Sequence, residues 1–173
     1  AEVIDENGNK ILPSFWQYLG QNWYQHRLET FLFGNFITGS TTVFNQALAT
    51  YAKTIPEDLK TLHDAWLGLC AFCFGEVIQI KEPLNLYRHH GNNVAFKKLS
   101  TEENSATKKL VEWLSDKDFL EEESQMIERF VNIYETELSK EKLSILTKFL
   151  RLTKRPPFFK RIVKYRILRK YRL

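Results

Sequence analysis

The sequence predicts a mixed α/β fold that is mostly helical, and three observations predict it. Short stretches that are β-branched or alternate in polarity, "EVI" before an Asn-Gly pair, "FITGSTTVF" and "EVIQIK", read as extended or strand segments. After Asn93 the composition turns helical, and apolar side chains recur three and four residues apart, the spacing of a buried helix face. The 173 residues are 43% hydrophobic and 14% aromatic, which is enough to pack a core and excludes a disordered chain.

Taken in order, "AEVIDENGNKIL" is a strand end followed by a turn in which Asn7 and Gly8 suit positive φ. A chain that opens in mid-strand is expected to be cut from something longer. Between residues 13 and 34, Phe15, Trp16, Tyr18, Trp23, Tyr24, Phe31 and Phe33 recur at mixed helical spacing, predicting one or two helices that end at Gly34. Residues 36–44 predict a strand or extended loop around Gly39, then a helix. "TIPEDLKTLHDAWLGLCAFCFG" puts a proline-containing loop before an apolar helix with His63 and Asp64 in its first turn and Gly75 at its end. "EVIQIKEPLNLYRHH" alternates Val77, Gln79 and Lys81 against Ile78 and Ile80, so it begins as a strand that Pro83 bounds. Ser100 with Glu103, and Asp118 with Glu121, have capping-box spacing. Two amphipathic helices follow, one burying Ile127, Phe130, Val131, Tyr134 and Leu138, the other Leu143, Leu146, Phe149 and Leu150.

The net charge of +4 conceals a division. Residues 1–150 hold all 21 acidic residues against 15 basic ones, whereas residues 151–173 hold 10 basic residues and no acidic one. Such a tail seeks an anionic surface. Phe158, Phe159, Ile162, Val163, Tyr165, Ile167, Leu168, Tyr171 and Leu173 interleave with its charges, a pattern suited to an anionic membrane face. These apolar residues form no single stripe on a helical wheel, so docking on a partner protein is the rival expectation. Nucleic acid is not expected, because no recognised binding motif accompanies the charge. The longest apolar run, 65–75, falls short of the about 20 residues a transmembrane helix takes, and no signal-peptide pattern opens the chain. Membrane contact is therefore expected to be peripheral.

Cys70 and Cys73, three apart, could form a redox or metal pair, but zinc would need further ligands at matching spacing. Two buried, reduced thiols are the simpler expectation, and they point to a cytoplasmic, reducing compartment. Asp64 at a helix head is most simply an N-cap. The rival role is a general base at the rim of a cleft beside His63 and Trp66; both can hold, because a capping carboxylate keeps a free lone pair. "TGSTTVFN" lacks the Lys-Ser/Thr of a phosphate-binding loop, so Gly39 more simply lets the backbone pass close to another group. Of the adjacent His89 and His90, only one normally enters a given site, since neighbours in an extended segment point to opposite sides. Arg88 carries a planar fork suited to oxyanions.

In their order, "AEVIDENGNKI", "FITGSTTVFNQAL" and "IPEDLKTLHDAWLGLCAFCFGEVIQIKEPLNLYRHHGNNV" resemble the second half of a bacterial family-2 glycosyltransferase of the GT-A type, rhamnosyltransferase-like branch. The resemblance covers residues 1–94 and is carried most specifically by "HDAW" and "LYRHHGNN". It implies a Rossmann-like α/β domain whose N-terminal half binds a nucleotide-sugar and a divalent cation, Mg or Mn, and whose second half supplies the acceptor side. It further implies that Asp64 is the catalytic base and that Arg88 and His90 sit near the donor diphosphate, His90 within reach of the metal. Thr38, Gly39 and Ser40 would line the acceptor cleft, with Trp66 stacking there or packing behind Asp64.

On this resemblance, residues 1–95 are the acceptor-side half of a catalytic domain, 96–150 a helical extension and 151–173 a basic aromatic tail. The donor half is absent from the sequence, so the chain is expected to be inactive alone, to hold no cation tightly and to leave a sheet edge open to a second copy. The expected reaction is inverting transfer of a sugar from a nucleotide-sugar to a polysaccharide or lipid-linked glycan precursor, at the inner face of the cell membrane. The alternative is a non-catalytic helical interaction module with a basic docking tail.

Overall fold

A computed structural model describes residues 1–18, 27–59, 63–90 and 120–170. The fold is mixed α/β and mostly helical, with a small three-stranded sheet. The chain divides into two compact units, each built from two separate stretches: Ala1–Trp23 with Ile78–Trp113, and Tyr24–Val77 with Leu114–Leu173.

In the first unit, β1 (Glu2–Ile4) is the middle strand of the order β2-β1-β3. It pairs antiparallel with β2 (Lys10–Leu12) and parallel with β3 (Leu86–Arg88). The β-branched Val3 and Ile4 are buried, as a central strand requires. The turn to β2 is tied by Asp5, whose carboxylate accepts from the backbone N–H of Asn7 at 2.9 Å and of Asn9 at 2.7 Å, and from the Asn9 side chain at 2.9 Å. These bonds, the Asn9 side chain first among them, hold the Asp5 carboxyl below its ordinary pKa. Gly8 takes φ +91°, as its sequence context suggested. Asn7 does not adopt positive φ, because the Asp5 side chain binds its N–H and one left-handed residue completes the turn. A small core of Val3 and Phe15 lies below, with Phe15, from α1 (Phe15–Tyr18), stacked on Tyr87 at 4.6 Å.

The strand expected before Pro83 is not formed, and Ile78 and Ile80 are exposed. The sheet resumes beyond the proline, where Glu2 N–H donates to the Asn85 carbonyl at 2.8 Å and His89 N–H to the Ile4 carbonyl at 2.7 Å. Alternation shows that a segment can be a strand; pairing decides which part is. β1 offers three residues, and the proline-free "LYR" takes them.

The second unit is helical. It contains α2 (Leu28–Phe31), a 3-10 turn at Gly39–Thr41, α3 (Gln46–Ala52), α4 (His63–Phe74), α5 (Glu121–Tyr134), α6 (Lys140–Thr153) and α7 (Pro157–Lys170). Apolar almost all round, α4 is the buried centre, with Trp66, Leu69 and Cys70 fully enclosed. Both α2 and α3 pack on it. The approach of α2 runs over Gly68, where an added Cβ would stand 2.7 Å from the Phe31 ring and 2.7 Å from Ile37.

The two amphipathic faces read from the sequence are buried as expected. Ile127, Phe130, Tyr134 and Leu138 join one core with Leu146 and Phe149, while Val131, Leu143 and Leu150 pack at its margin. Phe130 meets Trp66 edge-on at 5.4 Å, and Tyr134 meets Phe74 likewise at 5.2 Å. Ser139 caps α6 by accepting the Lys142 N–H at 3.2 Å. Glu121 opens α5, whereas Asp118, Ser100 and Glu103 of the expected capping boxes lie outside the described residues.

Candidate functional site

The residues singled out for chemistry divide between the units. Thr38, Gly39, Ser40, Asp64 and Trp66 belong to the second; Arg88 and His90 belong to the first.

Asp64 stands in the first turn of α4 and is 8% exposed. Its Oδ1 accepts from the Asn35 side-chain amide at 2.8 Å and its Oδ2 from the backbone N–H of Gly39 at 3.1 Å. The expectation that it simply caps its own helix is thereby corrected: the carboxylate ties the 35–39 segment to the head of α4. A carboxylate taken out of water needs such donors, and two neutral ones satisfy it without cancelling its charge. Each oxygen retains a lone pair for a further donor. Asn35 is itself fixed, because its Oδ1 accepts the Ile37 N–H at 2.8 Å and leaves its amide facing Asp64.

Gly39 serves the purpose its sequence context suggested. A Cβ there would lie 2.8 Å from the His63 Nε2 and 3.6 Å from the Asp64 Cβ, so the absent side chain lets the imidazole rest against the backbone. His63 is exposed while Asp64 beside it is buried, and the pair presents an imidazole at the surface over a shielded carboxylate. Thr38 and Gly39 are half-buried and Ser40 is exposed. The Thr38 carbonyl accepts the Thr41 N–H at 2.9 Å and the hydroxyls of Thr41 and Thr42 at 3.0 and 2.9 Å, which sets the 3-10 turn.

Trp66 has no exposed surface and packs against Phe130. Its burial leaves the indole no surface on which an acceptor could stack, and its packing partner is Phe130. In the first unit, the Arg88 Nη1 donates to the turn carbonyls of Asp5 at 3.1 Å and Glu6 at 2.7 Å, clamping the β1–β2 connection. His90 follows β3 and is exposed. Among the described residues, no group of three or more His, Cys, Asp and Glu side chains gathers to hold a metal ion.

Cys70 and Cys73 are reduced, and burial pushes both thiols up to about 12. A thiol so protonated is a poor nucleophile and a poor metal ligand, which favours the packing role.

Asn35 was not singled out from sequence. The only local hint is its place after Gly34, at the end of the aromatic stretch, and that marks a turn rather than a partner for Asp64. In comparisons with known proteins, no family model, no curated protein and no solved structure matches the chain.

Proposed function

We propose that the chain is the acceptor-side portion of an inverting glycosyltransferase of the GT-A type, with Asp64 as its catalytic base. The observation that carries this reading is the closure of the Asn35–Gly39 segment onto Asp64. Two stretches far apart in sequence, "TGS" and "HDAW", meet at one shielded carboxylate bordered by an exposed imidazole. In the proposed reaction, an acceptor hydroxyl gives its proton to a free lone pair of Asp64. Its oxygen bonds to the anomeric carbon from the face opposite the leaving group, and the bond from that carbon to the nucleoside diphosphate breaks, inverting the centre. Thr38 and Ser40 border the acceptor's approach; a donor-diphosphate role for Arg88 and His90, which belong to the other unit, rests on the resemblance alone. The divalent cation that the family resemblance calls for would neutralise that diphosphate; the described residues gather no site for it, and no step here passes through it.

Asp64→Asn keeps an oxygen acceptor and the size of the side chain while removing the base. In the native polypeptide that carries this sequence, the variant is expected to lose sugar transfer and to retain nucleotide-sugar binding, measured by turnover and by calorimetry. Turnover equal to that of the unmodified protein would remove Asp64 from the mechanism. The second reading, a helical docking module, draws on the exposed aromatic residues of α7. It requires vesicle binding to persist when Asp64, Arg88 and His90 are all replaced.

A further inference from the structure

Helix α7 turns Lys160, Arg161 and Lys164 inward and three aromatic rings outward. Lys160 and Arg161 are 6% and 2% exposed, and the Lys164 amine donates to the Phe33 carbonyl at 2.9 Å. Phe158, Phe159 and Tyr165 are 57%, 56% and 60% exposed. With about 3.6 residues per turn, Phe158 lies in line with Tyr165, Phe159 in line with Arg166, and the half-buried Ile162 between the two rows. The rings of Phe158 and Phe159 meet edge to face at 6.0 Å. Arg151, Lys154 and Arg155 are exposed just before the helix, and residues 151–173 contain no Asp or Glu.

We propose that this outer face of α7 is a docking surface for an anionic lipid bilayer. Phe158, Phe159 and Tyr165 enter the headgroup region, and Arg151, Lys154, Arg155 and Arg166 meet the lipid phosphates. A bilayer surface is anionic outside and apolar beneath, which matches a row of rings flanked by cations on an acid-free stretch. An acidic protein would satisfy the cations but would also have to bring an apolar cleft for three rings on a convex helix. No helix among the described residues is long and apolar enough to cross a membrane, so α7 lies on the surface. The inward cations act differently, since Lys164 ties α7 to the Phe33 carbonyl of its own unit, and Lys160 and Arg161 are buried. The charge of the segment thus splits into a structural half and a lipid-facing half.

The test is sedimentation of the 173-residue chain with vesicles of phosphatidylcholine, with and without phosphatidylglycerol. Binding is expected only where phosphatidylglycerol is present, and it should fall at high salt. The double variant Phe158→Ser, Phe159→Ser should lower partition by at least about tenfold, with circular dichroism and melting unchanged because both rings are exposed. Lys164→Met should leave partition intact and lower the melting temperature. The proposal is overturned if the double variant binds as well as the parent, or if binding is absent or independent of phosphatidylglycerol. Tight binding of soluble polyglutamate, insensitive to the double variant, would also overturn it in favour of an acidic protein. The assay needs no sugar donor, so its outcome is separate from that of the transferase reading.

Discussion

Asp64 and Gly39 share one hydrogen bond but fail differently when replaced, and that difference separates a structural latch from a site. Asp64→Ala would leave the Gly39 N–H and the Asn35 amide without their acceptor in a part-buried setting. The expected cost is about 1–3 kcal/mol of stability. Gly39→Ala keeps that bond, and its new methyl group would meet the far end of the exposed His63 side chain, which can swing away. Its backbone is outside the left-handed region, so alanine fits it. Gly39→Ala is therefore expected to change stability by less than about 0.5 kcal/mol. Under the proposed transfer reaction it should nonetheless depress turnover, because the imidazole is displaced from beside Asp64. Denaturant melts together with turnover decide this: a Gly39→Ala variant with normal stability and normal turnover shows that the His63 contact is incidental.

At the scale of elements, the same substitution has the opposite consequence in α4. Gly68→Ala adds a good helix former, a gain of about 1 kcal/mol in an exposed helix. Here its methyl group would lie within 3 Å of Phe31 and Ile37. Phe31 cannot retreat, being packed on Phe36 at 5.5 Å and Phe72 at 5.2 Å. Overpacking is expected to dominate and leave a net loss of about 1–3 kcal/mol, read as a lower denaturation midpoint with an unchanged slope; an increase would show that α2 slides freely over α4. The sequence announced α4, α5 and α6 because their apolar spacing is local information. It misplaced the strand near Pro83 because a ladder depends on the partner, and β1 lies some eighty residues away in the chain. Asn35 was hidden for the same reason, its role being set by Asp64 across 29 residues. The wheel of α7 showed no stripe because its inner face carries Lys160, Arg161 and Lys164, while its rings face out.

At the scale of the whole molecule, the two units are interleaved in sequence and, among the described residues, unequal in core. The first rests on Val3 and Phe15 with Ala1, Leu12 and Tyr87 around them, whereas the second encloses α4 within the apolar faces of α2, α5 and α6. Burial of apolar surface is the main favourable term in folding, so the described strands of the first unit have less apolar packing to hold them than α4 has. Its parallel β1–β3 pairing must also recover the entropy of closing a loop of about eighty residues with only three residue pairs. Local opening should therefore cost less in the sheet than in α4, and the two openings should be separable. Amide hydrogen exchange on the intact chain reads this directly. The Ile4 and His89 amides are expected to exchange well before those of Leu69 and Cys70. Val3→Ala should hasten the first pair and leave the second unchanged, because the methyl groups it removes lie in the smaller core alone. If Val3→Ala instead speeds both pairs by the same factor, the units open together, and the separate cores do not mark separate folding units.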